Sequence, residues 1–166
     1  AKEEEDWIPM FFSALKDYAY LTAKELDAEY RVFSQSGWGV YNSWDNNRNA
    51  AIPKYYKEIC SLMPGEENER LGGNEPHDFS AWQPDVIVVN LGTNDVSGFD
   101  QPEWVDEETG ERHKMRREED GSFCKEDVNA FKGAVAGFLK ILRECNPQAQ
   151  IIWCYGMLGL PFEKPI

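Results

Sequence analysis

The run Val86-Ile-Val-Val-Asn-Leu91 passes directly into Gly92-Thr-Asn-Asp95, and no other junction constrains the fold as much. Four consecutive β-branched residues in an apolar series suit a strand buried on both faces, as in a parallel sheet packed between helices. The glycine ends the strand, and the polar tip then lies just past its carboxyl end. Ligands bind at that edge of open α/β sheets, so the tip is a functional candidate on position alone.

The remaining pattern supplies the other layers. Acids at Glu3 to Asp6 precede a helical periodicity from Trp7 to about Ala28, carried by Phe11, Leu15, Tyr18, Ala19, Thr22 and Leu26, and the acids suit the positive end of a helix dipole. Tyr30 to Gln35 reads as a short strand that ends in Ser36-Gly-Trp-Gly39, where two glycines let the backbone approach a ligand closely. A second helix is expected over about Ala50 to Leu62, followed by a polar connection from Pro64 to Asn74. Val96 to Cys124 is too long and charged for an ordinary connection and reads as a lid or as a hairpin turning near Thr109-Gly110. Glu126 to Cys145 carries a helical stripe of Val128, Phe131, Val135, Phe138, Leu139 and Leu142, with Pro147 beyond its end. Ile151 to Tyr155 is a third strand. Helices alternating with strands imply an α/β fold, a three-layer α/β/α sandwich on a parallel sheet, in a single partial domain over residues 1–166 with an insertion at about 96–124. Three strands are fewer than such a sheet normally has. The expectation is a chain cut at both ends, with one sheet edge and one sheet face bare and able to self-associate.

The 166 residues are 42% apolar, enough for a real core, and carry a formal charge of −13. The basic residues form no stripe, so nucleic acid and anionic membrane are poor partners. Cys60, Cys124, Cys145 and Cys154 lie far apart without a C-x-x-C pair, which argues against a zinc site or a disulfide scaffold. No apolar segment approaches the ~20 residues of a membrane span, and none reads as a signal peptide. Ala1 need not be the first residue of the gene product, so the compartment stays open.

Gly92-Thr-Asn-Asp95 after a buried strand resembles the third sequence block of the SGNH hydrolases, also called GDSL esterases, and Ser36-Gly-Trp-Gly39 resembles their second. The two stand in the family order, about 55 residues apart, each at a strand's carboxyl end. The wording SGWGV and PDVIVVNLGTND is most similar to the acetylxylan esterases of carbohydrate esterase family two. The resemblance implies a flavodoxin-like SGNH fold and a serine esterase. Its Gly-Asp-Ser and Asp-x-x-His blocks are missing; by family order they would lie before Ala1 and after Ile166.

In that family the tetrahedral oxyanion is held by the serine N–H, a second-block glycine N–H and a third-block asparagine amide. By motif the last two are Gly37 and Asn94, with Gly39 an alternative donor, and fixed donors of this kind stabilise charge that develops in the transition state. Gly92, Thr93 and Asp95 are expected to support the loop, Asp95 by accepting backbone N–H groups. Trp38 and Trp104 are candidates to stack on a sugar, or simply to pack. His77 and His113 read as surface or loop residues. The resemblance implies a polysaccharide or small-molecule ester substrate, secretion or display at the cell surface, and no metal or organic cofactor. The chain alone is then expected to be inactive, unless Ser36, Ser43 or Ser97 serves as nucleophile. A lipid or thioester acylhydrolase on the same scaffold and a non-catalytic glycan- or protein-binding module are the competing functions.

Overall fold

Helical periodicity and strand alternation meet where a computed structural model, which describes residues 13–63 and 65–154, packs one long helix on a parallel strand pair. The backbone divides into two compact units, Ala1–Ser34 and Gln35–Ile166. In the first, a 3-10 turn at Ala14–Lys16 precedes helix α1, Tyr18–Glu25. The helix begins where Asp17 accepts a hydrogen bond from the Tyr20 N–H at 3.0 Å, an N-cap that satisfies one orphan donor of the first turn. The expected helix from Trp7 to Ala28 is therefore shorter on its described side, and its start lies outside the described residues. Tyr30 to Gln35 is not a strand; the nearest parallel pairing is an isolated bridge between Gly39 and Ala51.

In the second unit the elements are α2 (Glu66–Arg70), β1 (Val86–Asn90), α3 (Thr93–Ser97), β2 (Trp104–Val105), β3 (Arg112–His113), α4 (Lys125–Cys145) and β4 (Gln150–Cys154). Strands β1 and β4 pair in parallel, Ile87 opposite Ile151 and Val89 opposite Trp153. The crossover between them contains α4, as parallel pairing requires. Phe131, Val135, Phe138 and Leu142 of α4 form the core with Val40, Ile52, Val89, Phe99 and Met115, and Ile87, Ile151 and Trp153 pack against it. Val86, Val88 and Ile152, on the opposite face, are 48%, 53% and 42% exposed. β1 is thus packed on one face, not two. The parallel α/β class holds. Tyr155, the predicted end of the last strand, lies outside the described residues.

The helix expected over Ala50 to Leu62 reduces to a 3-10 turn at Ile52–Lys54. Its remaining donors are taken by a distant segment: the N–H groups of Ile59 and Cys60 go to the carbonyls of Glu75 and Gly73, at 3.0 and 2.8 Å, and the His77 N–H goes to Lys57. Backbone groups satisfied across the chain are unavailable for an i to i−4 ladder, so tertiary pairing overrides the local pattern. The polar connection that follows contains the short helix α2. The insertion is a hairpin: β2 and β3 pair antiparallel, and the chain reverses at Gly110, which has φ 74°. No helix among the described residues is long and apolar enough to cross a membrane.

Candidate functional site

The strand β1 stops at Gly92, which turns with φ 122°, and α3 starts at Thr93. Asn94 and Asp95 therefore project from the carboxyl end of the sheet toward the Ser36–Asn49 loop. Asp95 is fully buried. One of its oxygens accepts from the N–H groups of Tyr41 (2.6 Å) and Asn42 (3.0 Å), and the other from that of Val40 (3.0 Å). Burial pushes the Asp95 carboxyl up to about 6, while these three backbone hydrogen bonds pull it down. Gly39 makes the approach possible, since a Cβ there would lie 2.2 Å from Asp95 Oδ2 and 2.3 Å from the Asn42 carbonyl oxygen.

Asn94 donates from Nδ2 to the Trp38 carbonyl at 2.8 Å. A side-chain amide nitrogen has two hydrogens, so one is committed to orienting the group and the second remains to be aimed. Gly37, one residue before that carbonyl, has φ 80°, a left-handed conformation that glycine adopts without penalty. Its N–H has no partner among the described residues, and its carbonyl accepts from the Trp44 N–H at 2.9 Å. Gly37 is half-exposed whereas Gly39 is buried against the Asp95 carboxylate. Of the two glycine N–H groups, that of Gly37 has the solvent-side position.

Trp38 is half-buried, packed on the core with its ring 5.1 Å from that of Tyr55. Trp104 is half-buried in β2, opposite His113. Trp44, which nothing in the sequence singles out, is 49% exposed, and a Cβ on Gly37 would lie 2.9 Å from its Cδ1. The only signal for it was its place in Tyr41-Asn-Ser-Trp-Asp-Asn-Asn47, a turn-rich segment just after the second block.

His113 is a correction. It is not a loop or surface residue but lies half-buried in β3, its ring edge-on to Tyr41 at 5.4 Å and its Nε2 enclosed without a partner among the described residues. Burial lowers its pKa, and the Arg48 guanidinium, which sits 3.7 Å over the Tyr41 ring, lowers it further. His77 is in a loop, against Phe79 at 4.7 Å. Neither imidazole is a hydrogen-bond partner of Ser36, Ser43 or Ser97 among the described residues: Ser43 donates to Asp45 and Ser97 to the Thr93 carbonyl. Glu118, Cys124 and Glu126 have ligand atoms within 4.8 Å of one another, spacing that a cation could use. The Cys124 thiol there donates to Glu126 at 2.9 Å, and that carboxylate holds it above the ordinary thiol value.

No protein-family model matches the chain. Among solved structures, an acetyl xylan esterase from the rumen bacterium Butyrivibrio proteoclasticus is 51% identical with a TM-score of 0.88, the match covering 93% of this chain and 42% of that one. A family two carbohydrate esterase from Cellvibrio japonicus, 23% identical with a TM-score of 0.58, shares the fold. Two curated relatives from Cellvibrio japonicus, each named acetylxylan esterase / glucomannan deacetylase, are 38% identical over 77 residues and 33% over 95. These matches cover 46% and 56% of this chain but 19% and 24% of the relatives. The chain spans less than half the length of any of these proteins, and it is related through that span to the SGNH-type esterases of carbohydrate esterase family two.

Proposed function

We propose that this chain supplies the oxyanion-stabilising half of a serine esterase site that removes acetyl groups from a plant polysaccharide. The observation that carries the reading is the Asn94 amide, oriented at 2.8 Å by the carbonyl of Trp38, the residue after Gly37, whose N–H has no partner among the described residues. The relatives named acetylxylan esterase support the substrate class. In the proposed reaction a serine oxygen attacks the acetyl carbonyl as its proton passes to a histidine, and the C=O electron pair moves onto oxygen. The Gly37 N–H and the second Asn94 hydrogen receive that developing charge. Collapse expels the sugar oxygen, which takes a proton from the histidine, and water then hydrolyses the acetyl-enzyme. By the family order the serine and histidine belong to sequence outside this chain, so the chain alone is inactive in this reading.

Trp44 offers a sugar ring an exposed aromatic face beside Gly37, and Trp38 and Trp104 present less surface. Asp95 works behind the site by holding the Val40–Asn42 amides, and Gly92 and Thr93 set the turn that places Asn94.

Hydrolysis of an activated acetyl ester by this chain and by the full-length gene product is the direct test. Turnover by the full-length product alone is expected. Asn94→Ala in that product should lower kcat by roughly 10² to 10³ with KM little changed, because the oxyanion exists only at the barrier. Loss within a few fold, or loss matched by unfolding of the same sample, overturns the assignment. A full-length product that binds glycan and hydrolyses nothing is instead a binding module.

A further inference from the structure

Asn46 occupies a position that neither the motif nor the proposed chemistry uses. It is fully buried and has φ 70°, a conformation that asparagine tolerates better than most side chains. Its Nδ2 donates to the carbonyls of Gly98 at 2.8 Å and Pro102 at 3.0 Å, and its Oδ1 accepts the Met115 N–H at 3.1 Å. Pro102 lies two residues before β2 and Met115 two residues after β3. One side chain therefore grips both feet of the hairpin. The fit is tight, since a Cβ on Gly98 would lie 2.6 Å from Asn46 Oδ1.

The same residue shapes the site loop. The Asn46 N–H donates to the Ser43 carbonyl at 3.2 Å, the Ser43 N–H donates to Asn47 at 3.1 Å, and the adjacent Trp44 N–H holds the Gly37 carbonyl at 2.9 Å. A hydrogen-bonded turn thus runs from the feet of the insertion to the glycine whose N–H faces the proposed oxyanion. Its Gly98 carbonyl and Met115 amide anchors are buried, where leaving a polar group unpaired is costly, whereas Pro102 is exposed.

We propose that Asn46 is a positioning residue, which clamps both feet of the β2–β3 hairpin onto the Ser36–Asn49 loop so that the insertion is a fixed wall setting the place of Gly37 and not a moving lid. The catalytic part of this inference rests on the reading of Gly37 as an oxyanion donor. The clamp itself does not.

Two measurements separate the parts. Asn46→Gly deletes the side chain while keeping the left-handed backbone accessible. In this chain, amide hydrogen exchange at Met115 and at Trp44 should accelerate together, by roughly ten- to a hundredfold. Exchange at Tyr41 and Asn42, whose N–H groups are held by Asp95, should stay slow. Acceleration at Met115 with Trp44 unchanged overturns the clamp. In the full-length gene product, Asn46→Gly should lower kcat by about tenfold or more with KM unchanged, as expected for a misplaced donor. An unchanged kcat, or a loss confined to KM, overturns the positioning role. Should Asn46→Gly open Tyr41 and Asn42 as well, Asn46→Asp decides: it retains the Met115 acceptor and loses only the donors to Gly98 and Pro102. The proposal then expects Met115 to stay protected while kcat still falls, and uniform loss of protection in both variants makes Asn46 a plain stability residue. A full-length product without esterase activity removes the functional reading and leaves the exchange result to judge the clamp alone.

Discussion

The Ser36–Asn49 loop and the hairpin insertion are both polar, irregular stretches of chain, and they are secured in opposite ways. Under the loop, Asn42, Asn46 and Asp95 are fully buried and their hydrogen bonds run to backbone groups. Around the insertion the charges are paired at the surface, Arg112 with Glu103 at 2.5 Å and Arg117 with Asp100 at 2.7 Å. A pair in water adds little because solvent already served both ions, whereas a buried acceptor that disappears strands its donors without water. Similar polar composition therefore carries very different energetic weight, and the weight lies under the site.

Asp95→Ala should break that contrast most severely. It leaves the Val40, Tyr41 and Asn42 amides without their acceptor and opens a cavity, at a cost of about 3 to 5 kcal/mol in denaturant unfolding. A loss under about 1 kcal/mol would mean that water replaces the carboxylate, and that the loop is no more dependent on its interior than the hairpin is.

The pH dependence sharpens the comparison further. Asp95 titrates near 6 when folded against 3.8 as the ordinary value. The folded chain therefore binds the proton more tightly than the unfolded chain, and this contribution is fully present below pH 3.8 and is lost as pH rises through about 6. Its size is about 3 kcal/mol. The stability gap between the parent and Asp95→Asn should accordingly be widest near pH 4 and shrink toward pH 7, measured in melts at fixed ionic strength. A gap that widens toward pH 7 would show that the three amide donors, rather than burial, govern this carboxyl.

The smallest effect belongs to the insertion. Arg117→Ala removes the contact with Asp100 and a cation held 4.5 Å over Phe123, and it should cost about 1 kcal/mol or less. Raising the salt concentration should erase most of that difference and leave the Asp95→Ala loss in place. If both losses respond equally to salt, the distinction between the two regions fails.

Legibility in the sequence follows the same division between local and tertiary causes. β1, α4 and β4 were readable because a β-branched run and a 3.6-residue apolar stripe each specify their own element. Tyr30 to Gln35 and Ala50 to Leu62 were misread for want of a partner, or through having one: the first takes no ladder, and the second gives its amides to residues 73–75. In the site, Gly37, Asn94 and Asp95 stood out by motif. Trp44 and Asn46 did not, because Asn-Ser-Trp-Asp-Asn-Asn reads as an ordinary solvated turn. Only the fold reveals that two of these asparagines, Asn42 and Asn46, are interior groups and that the tryptophan lies against Gly37.

The contact between Gly39 and Asp95 also bears on how such a chain can vary. The carboxylate occupies the volume that any side chain at position 39 would need, since even a Cβ would come within 2.2 Å of it. Shortening Asp95 to make room orphans three amides, and enlarging Gly39 first drives the carboxylate out. Single substitutions at either position are thus uphill, and an alternative arrangement is reached only by changing both together. The two positions form one unit of inheritance, linked by a shared volume although 56 residues separate them in the chain.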